Sequence, residues 1–209
     1  MKGFKHKGDR VLLTEGKNDC FVIASLCSVH DVPENFGLYD SGSDAMALKR
    51  LSALIAGSEP VEVVGIVLDA DNPNMQSKWL SVKNRLIKLG YDMPDSPDLD
   101  GTIIIRENLP KVGLWLMPNN NIDGMLEDFC RTLASDSAID FAQTCAIEAK
   151  EKGYSSFKDV HLSKSIIHTF LAWQDEPGMP LGQAITSNTL DATQPSAIQF
   201  IDFLKLLFE

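Results

Sequence analysis

Short apolar runs alternate with helix-like stripes along the first half of the chain, and polar turns separate them. Runs rich in Val, Ile and Leu are typical of strands that are buried on both faces. Five strands are predicted, at 10–14, 37–40, 61–68, 102–105 and 112–117. Helical stripes lie between the first four, which predicts an α/β fold with a mostly parallel sheet and helices on both faces. The last two strands have a short connection and are predicted to pair antiparallel.

The second part of the chain carries only helical patterns. Helices are predicted over 124–133, 137–152, 164–173 and 197–208. A loop rich in Pro and Gly at 174–182 precedes the closing helix, whose apolar stripe is typical of a core or dimer contact. We expect an α/β core over 1–120 and a helical C-terminal extension over 121–209, packed on that core as a single compact unit.

One predicted strand runs directly into two aspartates, Asp69 and Asp71. Side chains alternate along a strand, so these two carboxylates should point to the same side, about 7 Å apart at Cα. Two like charges at the end of a strand repel each other unless something neutralises them. Mg²⁺ does so well because it prefers hard oxygen ligands. The alternative is a polar turn without a metal.

The first predicted strand also ends in an acid, Glu15, and continues as Gly16-Lys17-Asn18-Asp19 into a helix. Gly16 permits a tight turn at positive φ, and Asn18 or Asp19 can cap the helix. Ligands of open parallel sheets bind outside the carboxyl ends of the strands. If the two strands are neighbours, Glu15 should therefore meet the two aspartates at one edge of the sheet.

Together, the sequences Glu15-Gly16-Lys17-Asn18-Asp19 and Asp69-Ala70-Asp71 resemble the two motifs of the topoisomerase-primase (Toprim) domain. The resemblance covers about residues 8–120 and implies a Toprim-like Rossmannoid sheet. The whole chain looks most like a stand-alone Toprim-like family related to the overcoming-lysogenization-defect nucleases. Members that act on nucleic acid hold Mg²⁺ or Mn²⁺ on these carboxylates for phosphodiester chemistry.

The resemblance also implies roles for single residues. Glu15, Asp69 and Asp71 would be catalytic and hold one metal, and Asp19 would contribute to a second. Related nucleases carry a further acid after the core strands, and Glu127 is the candidate, with Asp128 as the alternative. They also place a lysine near the metals to neutralise charge on the scissile phosphate, and Lys164 is the candidate; otherwise it is a surface cation.

Two loops are candidates for substrate binding. They are Gly16-Lys17 and Ser41-Gly42-Ser43, and backbone N–H groups at helix starts can meet a phosphate. Basic residues concentrate in two groups: Lys2, Lys5, Lys7 and Arg10, then Lys78, Lys83, Arg85 and Lys88. The second group should contact substrate or form a solvated helix face. The net charge of −10 argues against a large nonspecific surface for nucleic acid.

Other features exclude several classes of protein. The four cysteines show no C-x-x-C spacing and no pairing with histidines, so zinc is not expected, and reduced thiols indicate a cytoplasmic protein. No apolar run approaches the ~20 residues that span a bilayer, and the basic N-terminus lacks the apolar segment of a signal peptide. We expect no membrane association. The oligomeric state stays open, and a homodimer is one option.

The sequence thus favours Mg²⁺-dependent phosphodiester hydrolysis by a nuclease or nucleotide phosphohydrolase. DNA, RNA and a small nucleotide remain open as substrates. No tyrosine is placed for topoisomerase chemistry, and no zinc or helicase module indicates a replicative primase. Two alternatives remain. One is a noncatalytic Toprim module that binds metal, nucleotide or protein. The other is a nucleotide-sugar transferase that uses the D-x-D sequence for its metal.

Overall fold

The computed structural model describes residues 8–58, 61–71 and 73–209. Five strands form one sheet in the order β2-β1-β3-β5-β4. Their bounds are β1 Arg10–Thr14, β2 Gly37–Asp40, β3 Val63–Asp69, β4 Thr102–Ile104 and β5 Lys111–Met117. All neighbouring strands pair parallel except β4, which runs antiparallel to β5. The mostly parallel sheet, the adjacency of β1 and β3 and the antiparallel last pair are confirmed.

Helices cover both faces of this sheet, as predicted. Their bounds are α1 Lys17–Val29, α2 Asp44–Ala56, α3 Met75–Lys88, α4 Leu126–Arg131, α5 Asp136–Glu151, α6 Leu162–Leu171, α7 Leu181–Thr186 and α8 Pro195–Phe208, with a 3₁₀ turn at Asp159–His161. Two buried clusters lie on opposite faces of the sheet: α2 and α3 contribute to one, and α1 and the later helices contribute to the other. Successive side chains of β1 point to opposite faces of the sheet: Val11 and Leu13 belong to the first cluster, and Leu12 belongs to the second.

Helix α8 lies closely across the two central strands. Gly65 of β3 and Gly113 of β5 are register partners. A Cβ atom added at Gly65 would lie 2.9 Å from Leu207, and one added at Gly113 would lie 2.4 Å from it. The two glycines therefore form the shallow surface that lets the helix approach the sheet. One buried cluster contains residues from both sides of position 120, the predicted boundary between the core and the C-terminal extension.

The structure corrects several predicted boundaries. Helix α4 begins at Leu126 rather than at 124, because Gly124 has a positive φ of 157° and Met125 is still extended. Helix α6 begins two residues earlier than predicted, and Trp173 lies beyond its end and is half-exposed. Helix α7 was not predicted. The long helix α5 lies within one residue of its predicted bounds.

The start of α1 also differs from its prediction. Gly16 itself is the N-cap, with φ of −149°, so it adopts ordinary extended backbone and needs no positive φ. Asn18 makes no capping hydrogen bond. Asp19 lies in the first turn with its side chain buried, and its carboxylate accepts a hydrogen bond from the backbone of Gly16, which gives it the predicted capping role. Among the helices that the structure describes, none is long and apolar enough to cross a membrane.

Candidate functional site

A pocket of about 620 Å³ opens at the carboxyl edge of strands β2, β1 and β3. Every predicted site residue except Ser41 and Asp71 lines it: Glu15, Gly16, Lys17, Asp19, Gly42, Ser43, Asp69, Glu127 and Lys164. These side chains come from the β1–α1 turn, the β2–α2 turn, the end of β3 and the starts of α4 and α6. The fold thus brings together residues that are up to 149 positions apart in the chain.

Glu15 and Asp69 are joined directly. Strands β1 and β3 are neighbours, and the backbone N–H of Asp69 donates to Oε1 of Glu15 at 2.9 Å. Burial, followed by the charges of Asp19 and Glu15, raises the pKa of Asp69 to about 8. Burial also raises the pKa of Glu15, although the Asp69 N–H and the nearby Lys78 oppose the shift. Both shifts show carboxylates that share a poorly hydrated site.

Asp19 is an acid of the pocket whose carboxylate is only partly satisfied, by a backbone hydrogen bond from Gly16. The residue is 7% exposed, and its Oδ1 atom is buried without a hydrogen-bond partner. Burial, followed by the charges of Glu15 and Glu127, raises its pKa to about 7. A buried carboxylate oxygen without a partner is costly, because it has lost water and gained nothing in exchange. A cation in the pocket would satisfy it.

Helix α4 is attached to the end of β3 by backbone contacts. Oδ1 of Asp69 accepts from the N–H of Leu126 at 2.9 Å, and the N–H of Ala70 donates to the carbonyl of Gly124 at 2.7 Å. This attachment brings Glu127 to the pocket, where Oε1 lies 3.0 Å from Nζ of Lys164. The Glu127 side chain is 6% exposed and the Lys164 side chain 48%. The lysine therefore reaches solvent at the pocket mouth while its partner is buried.

Asp128, the alternative to Glu127, does not line the pocket. It accepts the N–H of Met125 at 3.0 Å, Ser163 Oγ at 2.5 Å and an Arg131 Nη1 at 3.2 Å. These contacts hold the first turn of α4 against the start of α6. Asp128 therefore supports the two segments that carry Glu127 and Lys164, and of the two adjacent acids it is Glu127 that lines the pocket.

Asp71 and Ser41 lie near the pocket without lining it. Strand β3 ends at Asp69, so strand alternation does not extend to Asp71. The charge of Asp71 nevertheless contributes to the raised pKa values of Glu15 and Asp69. Ser41 is buried, and its Oγ has no hydrogen-bond partner. A role for either residue stays a prediction.

The acid of the second strand is a pocket residue that the sequence analysis missed. Asp40 is the last residue of β2 and lines the pocket with Glu15 and Asp69. The sequence contains the signal, because an acid is the last residue of β2 and of β3 and directly follows β1. Oδ1 of Asp40 accepts the N–H of Gly42 at 2.8 Å, and Ser43 caps α2 by accepting the N–H of Met46 at 3.3 Å.

The basic group on α3 does not form a substrate surface at this pocket. Lys78 is 4% exposed, and its Nζ lies 2.8 Å from Asp44 and 3.8 Å from Glu15. Lys83 pairs with Asp95 and Arg85 contacts Ser52, and neither lines the pocket. Arg10 pairs with Glu62 at the opposite end of β1. Of the predicted N-terminal group, Lys2, Lys5 and Lys7 lie outside the described residues.

A family model described as "Protein of unknown function (DUF3226)" matches residues 9–209. The chain belongs to the DUF3226 family. No curated protein and no solved structure matches it. Membership of the family assigns no activity, so the function of this DUF3226 protein rests on the chemistry of its pocket.

The acids of the DUF3226 pocket fit a divalent cation by donor chemistry rather than by a preformed cage. Glu15 and Asp69 each commit one carboxylate oxygen to a backbone N–H, and Asp19 keeps a buried oxygen without a partner. Such hard oxygens are the ligands that Mg²⁺ prefers. Within the described ranges, no group of three or more His, Cys, Asp or Glu side chains already has metal-binding geometry. Closing three oxygens around one ion requires side-chain rotation.

Proposed function

We propose that this protein is a divalent-metal-dependent phosphodiester hydrolase, a nuclease that acts on DNA, RNA or a nucleotide with Mg²⁺ or Mn²⁺ as cofactor. The supporting observation is the convergence of Asp40, Glu15 and Asp69 from three neighbouring parallel strands on one pocket. Asp19 and Glu127 add two more acids to it. Acids concentrated at the carboxyl edge of a parallel sheet support the Toprim-like reading of the two sequence motifs.

The acids of the pocket would bind metal ions. Glu15, Asp69 and Asp71 would hold one Mg²⁺, and Asp19 and Glu127 a second. Bound there, the metal would supply an activated water and stabilise the charge of the reacting phosphate.

Lys164 would contribute a positive charge of the protein itself. Its ammonium has three donors, and Glu127 engages one side of it at 3.0 Å. Because the side chain is 48% exposed, the remaining donors can meet a phosphate oxygen in the pocket. Glu127 would therefore position the ammonium, and Lys164 would stabilise the charge that develops during hydrolysis.

The decisive experiment is an assay of the full-length protein with Mg²⁺ or Mn²⁺ against single- and double-stranded DNA and RNA. Hydrolysis should require the metal and disappear in Glu15→Gln, Asp69→Ala and Asp71→Asn. A matched control is Glu107→Gln, since Glu107 is an exposed acid of the β4–β5 connection and should behave as the parent does. Activity that persists in EDTA, or in Glu15→Gln, would exclude the proposal.

A noncatalytic metal- or nucleotide-binding module is the second candidate. The ammonium of Lys78 lies 3.8 Å from Glu15, so an internal cation already offsets part of the carboxylate charge. Calorimetric titration with Mg²⁺, together with the hydrolysis assay, separates the candidates. Mg²⁺ binding without turnover of any nucleic acid would favour the noncatalytic module. The nucleotide-sugar transferase alternative uses both aspartates of D-x-D, and of these Asp69 alone lines the pocket.

A further inference from the structure

We infer that the substrate is a small phosphodiester, the size of a linear dinucleotide, bound in the pocket through a single phosphodiester group. This inference rests on the proposed hydrolase function and names its substrate class. It depends on three observations: the dimensions of the pocket, the charge of its lining, and the pairing of the basic side chains elsewhere.

The pocket has the dimensions of a small-molecule site. Its volume of about 620 Å³ lies within the range of about 300–1,000 Å³ that holds drug-sized ligands. The β1–α1 and β2–α2 turns form one side, and the starts of α4 and α6 form another. Asp19, which is 7% exposed and has an unpartnered oxygen, lines the pocket between them. The site is thus an open pocket of limited volume.

The charge of the lining suits one phosphodiester. Five carboxylates and two lysines line the pocket, so its formal charge is −3 when every group is ionised. One divalent cation would leave −1 and two would leave +1. Counting the lining alone, only the state with two cations carries a charge opposite to the single negative charge of one diester linkage. Lys17 and Lys164 are the lysines of this lining.

Polymer binding depends on many phosphate contacts, about 6–10 for a protein that grips duplex DNA. Three basic side chains of α3 that were expected to contact substrate have partners within the protein. Lys78 is buried against Asp44, Lys83 pairs with Asp95, and Arg85 contacts Ser52. No residue of this basic group lines the pocket, and Lys78, whose ammonium lies 3.8 Å from Glu15, is buried behind it. With a net charge of −10, the protein as a whole also repels a long polyanion.

The reaction on such a substrate balances with water alone. Water adds its hydroxyl to phosphorus, the P–O bond to the leaving nucleoside breaks, and a proton passes to the leaving oxygen. A linear dinucleotide then gives one nucleoside and one nucleoside monophosphate.

The test compares thymidylyl-thymidine with an oligothymidine 20-mer and a 20-base-pair duplex, using the full-length protein and Mg²⁺. We expect kcat/KM per linkage for the dinucleotide to lie within tenfold of the polymers or above them. We also expect log(kcat/KM) to fall with log[salt] with a slope shallower than about −2 between about 50 and 200 mM salt, since each phosphate contact contributes about −0.7 to −0.9.

A binding measurement accompanies the kinetics. Thymidine monophosphate should raise the Tm of the parent in Mg²⁺, and this shift should shrink in Lys164→Ala. Lys83→Ala, which removes one positive charge as Lys164→Ala does, is the charge-matched control and should keep the parent's shift and slope. The full-length triple variant Lys2→Gln, Lys5→Gln, Lys7→Gln, which removes three positive charges, should keep them as well.

Three results would overturn the inference about substrate size without affecting the proposed hydrolase function. A dinucleotide more than tenfold poorer than the polymers, a slope steeper than about −2, or loss of cleavage in either control variant would overturn it while leaving the hydrolase function intact. Hydrolysis that does not require metal, or no hydrolysis of these three substrates or of the single- and double-stranded RNA assayed beside them, would instead overturn the proposed function and this inference with it.

Discussion

The backbone N–H of Asp69 donates a 2.9 Å hydrogen bond to Oε1 of Glu15, which links the ends of two neighbouring strands through the side chain of one motif and the main chain of the other. Both carboxyl groups are thereby held at one edge of the sheet, and burial raises the pKa of each. The fold thus keeps these acids together although their charges oppose it.

The stability of the metal-free protein should decrease as the pH rises from about 4 to about 8. The folded-state pKa values are about 7 for Asp19 and about 8 for Asp69, against an ordinary value of 3.8. The folded protein therefore retains protons that the unfolded chain releases in this window, so unfolding becomes easier as the pH increases. Each pKa unit corresponds to about 1.4 kcal/mol for an independent group.

Denaturant titrations in EDTA at several pH values would measure this slope. Asp69→Asn should flatten it and raise stability near pH 8, since the amide oxygen can still accept the N–H of Leu126. Mg²⁺ should stabilise the parent at the same pH by about 1.4 kcal/mol at ten times Kd, and should stabilise the Asn variant less. Strong destabilisation of Asp69→Asn in EDTA would identify the carboxylate as a purely structural acceptor.

Lys78→Met should destabilise the protein by about 1–3 kcal/mol, because it removes a buried cation and leaves Asp44 and Glu15 without it. Asp44 is 39% exposed, so water would compensate part of the loss. Adding Asp44→Asn to Lys78→Met should recover some stability, and chemical denaturation of the four proteins of this cycle gives the coupling energy. Additive effects would mean that the ion pair contributes nothing.

The burial and ion pairing of Lys78 could not be predicted from the sequence. A lysine on the helix after D-x-D was grouped with Lys83, Arg85 and Lys88 as a candidate substrate contact, because sequence spacing cannot distinguish a solvated cation from a buried one. The structure pairs Lys78 with Asp44 of α2 and Glu15 of the β1–α1 turn, which are 34 and 63 positions away in the chain. Such long-range pairing depends on how α2 and α3 pack together, and no local pattern encodes it.

The strands were predictable for a physical reason. Every residue of 63–68 is buried, so the run has to be apolar throughout, and that is a strong local signal. The start of α4 was not predictable to the residue, because its position depends on the contact of Asp69 with Leu126 across 57 positions. The pocket followed from the rule that parallel strands end at the same edge. Applied to Gly37–Asp40 as well, the same rule would have included Asp40.

Lys164→Ala should lower kcat more than it raises KM if the ammonium acts on charge that develops during hydrolysis. Its pairing with Glu127 adds a second expectation: Glu127→Gln should weaken metal binding and also loosen the position of Lys164. Steady-state kinetics on the proposed dinucleotide substrate, at several Mg²⁺ concentrations, would measure kcat, KM and the metal dependence of each variant. Lys158→Ala, at an exposed site before α6, is the matched control. Unchanged kinetics in Lys164→Ala would identify this lysine as a surface cation without a role in hydrolysis.

Gly113→Ala should destabilise the fold by about 1–3 kcal/mol through crowding between α8 and the sheet. The added Cβ would lie 2.4 Å from Cδ2 and 2.9 Å from Cγ of Leu207, so helix α8 would have to shift away from the sheet. Leu207→Ala alone should cost about 2–5 kcal/mol, because it leaves a cavity at a fully buried position. The double variant should lose less than the sum of the two, because the new methyl group occupies part of the space that the leucine vacates. Urea unfolding of the four proteins measures this coupling, and strictly additive losses would contradict the close contact between α8 and the paired glycines.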